Sequence, residues 1–219
     1  VLAGGKPYLM YTLVRMGNGT KAVDNISSGG MYAPVDENGV ITAKKPGETT
    51  ITVTADKTAQ TCKVTVKQPT VRLDRTSASL YRKGTLRLSV SSTSKSIPRW
   101  KTNKKSVATV DNEGRVTAVK NGTAIITVTV DGVSKTCEVT VKKPKITVGQ
   151  EQISLVAGET CQPNVTVSSG NKPEYYSSNT NVATVNETGM ITAIGKGRAY
   201  IYAKEDGTKV RMTVTVKEK

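Results

Sequence analysis

The sequence predicts an all-β chain of three tandem domains, and three observations predict it. First, a 75-residue spacing recurs: Gly39, Gly114 and Gly189, then Gly47, Gly122 and Gly197, then Val66, Val141 and Val216. Second, β-branched residues alternate with polar ones in short runs, the period-two signature of half-buried strands. Third, turn residues punctuate the chain about every 8–12 residues, as in sandwiches and barrels, and no long stretch carries helical apolar periodicity.

A fixed period is read before anything else. Single solenoid turns run about 20–50 residues, so a longer period fits a small domain. The chain divides after its two "VK" joints into residues 1–67, 68–142 and 143–219. Pro69 and Pro144 hold the same place in successive joints, with almost no spare chain around them. Such joints are expected to be short and semi-rigid, setting the three domains in an elongated rod.

Within repeat 2, Ala124, Ile126, Val128 and Val130 alternate with Ile125, Thr127 and Thr129 to make one strand. Cys137, Val139 and Val141 alternate with Thr136, Glu138 and Thr140 to make the next. Asp131–Gly132 lies between them as a tight turn, where Gly tolerates positive φ. "DNEG" and "KNG" mark two earlier turns. Repeats 2 and 3 each open with an expected strand, near 71–80 and 146–155. Subtracting 75 puts the start of that strand before Val1 in repeat 1, which is therefore expected to lack its opening strand and to expose a sheet edge. Positions 17–34 follow the repeat poorly, and an ungapped count sets Asn25 where Trp100 and Tyr175 stand.

The run from Trp100 through "KTNKKSVATVDNEGRVTAVKNGTAIITVTVDG", closed by "CEVTV", resembles the bacterial immunoglobulin-like group 2 family, the repeats of intimin and invasin. The likeness is nearly full-length in repeats 2 and 3 and covers about 35–66 in repeat 1. It implies a small immunoglobulin-like β-sandwich. It also implies a setting: bacterial surface adhesins, spacers in secreted multidomain enzymes, or phage tail and capsid proteins. In such a setting the N-x-S/T triplets at Asn18, Asn25, Asn121, Asn164 and Asn186 read as turn and strand residues rather than glycan acceptors.

Each repeat has one cysteine, Cys62, Cys137 and Cys161, so no disulfide can form within a repeat. Cys62 and Cys137 are equivalent to Met212, and Cys161 to Leu86, which marks these as apolar sites holding free thiols. Trp100 is the expected core tryptophan of the third strand.

The chain has no histidine, so Ser-His-Asp and Cys-His pairings are unavailable and metal-ligand clusters are poorly supplied. No Gly-rich loop opens a helix, so no nucleotide fingerprint exists. No catalytic, cofactor-binding or metal-binding residues are assigned, and no enzymatic activity is expected. "DENG", "DNEG" and "NETG" group carboxylates and amides three times, with Asp36, Asp111 and Asn186 equivalent. Turn chemistry explains them, and calcium is the alternative.

Two candidate surfaces remain. The chain carries 32 Lys plus Arg against 17 Asp plus Glu, a net charge of +15. Repeat 2 concentrates it, with 14 basic and 5 acidic residues. Lys95, Arg99, Lys101, Lys104 and Lys105 lie around Trp100, and Arg82, Lys83 and Arg87 lie just upstream, an expected patch for anionic polymers. A solvated basic surface is the plain alternative. No specific nucleic acid is expected, because no recognition motif accompanies the charge. The second surface is in repeat 3, where Tyr200 and Tyr202 fall opposite Ala199, Ile201 and Ala203 in the alternation. Together with Tyr176 they form a candidate glycan-stacking face; ordinary surface tyrosine is the alternative.

The function expected is a non-catalytic extracellular repeat region of a bacterial surface or secreted protein, a spacer or adhesion module. The alternatives are a phage virion component, and a carbohydrate- or polyanion-binding module on a secreted enzyme. Expected partners are other domains of a longer chain, host or cell-wall glycans, and a further chain at the open edge of repeat 1. No signal peptide, anchor or apolar span of about 18 residues is legible, so no membrane insertion is expected and the chain reads as part of a longer protein.

Overall fold

A computed structural model describes residues 8–9, 25–28, 31–36, 39–55 and 57–218, and among these every element is a strand. Repeats 2 and 3 have the same topology, two main sheets of four and three strands with a separate two-stranded pair. In repeat 2 one sheet runs Arg99–Thr102, Gly122–Val130, Val133–Val141, Ser77–Leu80, and the other Ala108–Val110, Arg115–Ala118, Thr85–Arg87. In repeat 3 the first runs Glu174–Ser177, Gly197–Glu205, Thr208–Lys217, Gln152–Val156, and the second Ala183–Val185, Ile191–Ala193, Thr160–Cys161.

The long hairpin organises each sandwich. In repeat 2 it pairs without interruption from Gly122 opposite Val141 to Val130 opposite Val133. Asp131 and Gly132 close it at φ 45° and 82°, and Asp206 and Gly207 do so in repeat 3 at 40° and 81°. Two positive φ values in succession match the twist of a two-residue hairpin. The alternation read from the sequence sends Ala124, Ile126, Val128 and Val130 inward, each at most 1% exposed. Their counterparts Ala199, Ile201 and Ala203 are 0% exposed.

The cores hold the residues the equivalences implied. Cys137 and Met212 are both fully buried, while Cys62 and Cys161 are half-buried against their own cores, and all three thiols are free. Trp100 packs, partly buried, against the repeat 2 core. Gly114 explains the recurring turn glycine. It sits at φ 81°, and a Cβ there would lie 2.7 Å from the indole of Trp100 and from the Leu88 carbonyl. Gly189 stands in the same relation to Tyr175, at 2.6 Å.

Two expectations are corrected. The opening strand is two strands in repeats 2 and 3. Val71–Leu73 pairs antiparallel with Val90–Ser92, then Ser77–Leu80 crosses to pair in parallel with Glu138–Val141. Asp74 makes the break: its amide donates to the Ser89 carbonyl at 2.9 Å, and its Oδ1 accepts the Ser89 amide at 3.0 Å. Repeat 3 divides likewise into Ile146–Val148 and Gln152–Val156.

The second correction concerns register. Asn25–Ser28 pairs with Gly47–Ala55 so that Ile26, not Asn25, lies opposite Val53. Trp100 lies opposite Val128, the equivalent of Val53. Ile26 therefore takes the Trp100 position, because the chain from there to the turn glycine is one residue shorter than in repeat 2. A one-residue slip in a strand exchanges its two faces, so the ungapped count assigned the wrong side chain. The expected absence of an opening strand and open edge in repeat 1 concern residues 1–7, which lie outside the described residues.

Candidate functional site

The three turns with grouped carboxylates are held by their own backbone. Asp111 Oδ1 accepts the amides of Glu113 at 2.9 Å and Arg115 at 2.8 Å. The Arg115 amide holds the carboxyl below its ordinary pKa range, against a smaller upward push from burial. Asn186 Oδ1 accepts the Thr188 and Met190 amides in the same way, and Asp36 Oδ1 accepts the Val40 amide at 2.8 Å. An amide oxygen serves as well as a carboxylate here, as turn chemistry requires.

The basic residues of repeat 2 are not gathered into one patch. Arg99 and Lys101 flank Trp100 on one strand and are exposed. Lys95 precedes that strand, and Lys104 and Lys105 follow it, all exposed. Arg87 belongs to the opposite sheet, where it faces Glu113 at 3.7 Å. Lys83, at φ 69°, and Arg82 lie in the turn after Ser77–Leu80, at the end of the sandwich nearest repeat 3.

Repeat 3 does bring its three tyrosines to one sheet face. Tyr176 lies opposite Tyr202, and their rings stack with centroids 4.8 Å apart at 19°. Lys209 Nζ stands 4.7 Å from the centre of the Tyr202 ring, and the Arg211 guanidinium 4.6 Å from that of Tyr200. Tyr202 is thus sandwiched between a ring and a cation. The face is aromatic and cationic together, where the sequence reading separated the two.

The joint between repeats 2 and 3 is the most highly structured polar cluster among the described residues. Glu205, whose side chain is 0% exposed, accepts a hydrogen bond from Arg82 Nε at 2.8 Å across the joint. Asn171 Nδ2 donates to the Arg82 carbonyl at 2.9 Å and to Glu205 Oε1 at 3.2 Å. Ser169 Oγ approaches Glu205 Oε2 at 3.3 Å. Beside this, Asn121 donates its amide to Asp206 Oδ1 at 3.1 Å, and its side chain to the Asp206 carbonyl at 2.6 Å. Pro144 is buried, and its carbonyl accepts from Thr208 Oγ1 at 2.6 Å.

Sequence reasoning missed this cluster, although one signal was present. Glu205 holds the inward phase of its strand, where Val130 and Ala55 stand in the other repeats. An acid on an apolar phase marks a buried partner. Among the described residues the first joint shows no such set, and Val130 stands in place of Glu205 and Pro46 in place of Asn121. The matching end of repeat 2 leaves Ile97 83% exposed beside an open crevice of about 650 Å³ lined by Ser96, Arg99 and Asp131.

The family model of the bacterial Ig-like domain (group 2) matches the chain three times, over residues 2–66, 68–141 and 143–216. The chain belongs to this family. The first match reaches back to residue 2, well beyond the 35–66 over which repeat 1 resembles the other two. No curated protein sequence matches the chain. Among solved structures, this group 2 chain is similar to the titin I9–I11 tandem, at 13% identity over 91% of this chain and 90% of that one, with TM-score 0.50. It is also similar to surface layer protein SbsC, domains 1–6, at 18% identity over 92% of this chain and 36% of that one, with TM-score 0.33. An EHEC O157:H7 intimin mutant aligns at 20% identity over 38% of this chain and 51% of that one, with TM-score 0.30. The group 2 chain spans little more than a third of the S-layer structure's length. The titin likeness speaks to fold alone.

Proposed function

We propose that the chain is a non-catalytic spacer and presentation region of a bacterial surface or secreted protein. Three tandem group 2 repeats support the setting. The interlocked joint carries the mechanical part of the reading. A buried, hydrogen-bonded ion pair across two sandwiches sets their relative orientation, since any rotation strands Glu205 without Arg82. A spacer needs joints of this kind, because it holds a distal domain at a set distance rather than letting it diffuse on a tether.

Small-angle scattering of the full chain tests the reading. An extended particle is expected, with a radius of gyration well above the roughly 17 Å of a single globule of this length. A compact particle near that value overturns it.

A further inference from the structure

We propose that the outward sheet face of repeat 3 binds a linear acidic polysaccharide, with Lys209 and Arg211 holding its anionic groups and the tyrosines fixing those cations in place. This extends the surface-module reading by assigning it a ligand class.

The argument begins with the two well-matched repeats. Their inward residues keep the same apolar character: Ile126 and Ile201, Cys137 and Met212, Val139 and Val214 are all fully buried. Their outward residues at the same positions do not correspond. Thr127 becomes Tyr202, Ile125 becomes Tyr200 and Lys101 becomes Tyr176. On the neighbouring strand Thr136 becomes Arg211 and Ser134 becomes Lys209. The fold does not require these changes, since repeat 2 builds the same sheet with Thr127, Ile125, Lys101, Thr136 and Ser134 at these positions.

The face is also organised. A surface lysine ordinarily samples many rotamers, and ordering it on a ligand costs entropy. Here Lys209 already rests on Tyr202 and Arg211 on Tyr200. Tyr202 is in turn held by its stack with Tyr176. Lys204 lies opposite Lys209 and Arg198 extends the same strand, against one acid on this face, Glu174. The excess is positive, and guanidinium can pair two N–H donors with two oxygens of a carboxylate or sulfate. Tyr176 and Lys209 already cover the central Tyr202 ring, so charge rather than sugar stacking leads. The phenol hydroxyls supply donors and acceptors for sugar hydroxyls. A polysaccharide lies flat on a sheet, as this open face requires.

The test is titration calorimetry of the full chain with a heparin dodecasaccharide at low salt, compared with a neutral cello-oligosaccharide and a single-stranded oligonucleotide. Lys209→Gln with Arg211→Gln is expected to weaken heparin binding at least tenfold. Tyr176→Ser with Tyr202→Ser is expected to weaken it several-fold at unchanged net charge. Arg99→Gln with Lys101→Gln, which removes the same charge from repeat 2, is expected to change it less than threefold. Circular dichroism and the unfolding midpoint verify that each variant is folded. The proposal is overturned if heparin does not bind, if the repeat 2 variant loses as much as the repeat 3 variant, or if the tyrosine variant binds normally. Equal affinity for the oligonucleotide through the same residues also overturns it, in favour of a general polyanion surface. A negative result here leaves the scattering result on the spacer reading standing.

Discussion

Arg82→Ala separates the contribution of the joint from that of the sandwiches. The substitution leaves the Glu205 carboxylate buried, with only Ser169 Oγ at 3.3 Å and Asn171 Nδ2 at 3.2 Å as polar neighbours. Inside a single core, such an orphaned charge costs about 3–5 kcal/mol. Glu205 lies at a boundary, however, and the two repeats can part to hydrate it. The cost is therefore limited to the free energy of docking, and the joint opens before either sandwich unfolds. A loss of about 3 kcal/mol shifts the closed-to-open ratio by roughly two powers of ten. Glu205→Gln is the milder change. It keeps the shape and one acceptor, and Arg82, at 29% exposed, reaches water by a small movement, so a cost of about 1–2 kcal/mol is expected. Nitrogen-15 relaxation of the full chain reads the outcome. In the wild type, amides of repeats 2 and 3 should share one tumbling time; in Arg82→Ala each repeat should tumble faster and separately. Trp100, the single tryptophan, reports unfolding of repeat 2. The reasoning is refuted if tumbling is unchanged, or if the Trp100 unfolding midpoint collapses while the joint stays closed.

Three further outcomes are expected. Gly114→Ala forces a side chain into φ 81° and against the Trp100 indole; it should destabilise repeat 2 by about 1–3 kcal/mol or more, seen as an earlier urea transition in Trp100 fluorescence. The Asp111 carboxyl is held low in the fold by the Arg115 amide, so its stabilisation is present above the unfolded carboxylate pKa and is lost as pH falls through the folded value. Asp111→Asn, which keeps the acceptor as Asn186 does, should differ from wild type at neutral pH by an amount that shrinks in acid; a pH-independent difference in urea unfolding would contradict this. Burial raises the Cys137 thiol pKa, so thiol reagents should modify Cys137 only on unfolding and Cys62 and Cys161 sooner, followed by mass spectrometry at neutral pH.

Much of the fold was legible from local pattern. The hairpin from Gly122 to Val141 follows from alternation and the Asp131–Gly132 turn, because a strand's side-chain period and a turn's φ requirement are both local properties. Core equivalences such as Cys137 with Met212 follow from a period that held between repeats 2 and 3. The register of repeat 1 did not follow, since a shortened loop moved Ile26 into the Trp100 position, and loop length is not visible where similarity fades. The split opening strand was hidden because Asp74 acts through Ser89, fifteen residues away. The tyrosine face was half legible. Alternation placed Tyr200 and Tyr202 on one side, but the stack with Tyr176 and the cations from the next strand depend on strand pairing. Tertiary structure alone placed Arg82 against Glu205, 123 residues apart. The sequence determined three β-sandwiches because each repeat carries its own periodicity and turns. Only the packed structure decided how two of them lock, because a joint is a contact between distant residues whose burial exists only once both sandwiches have formed.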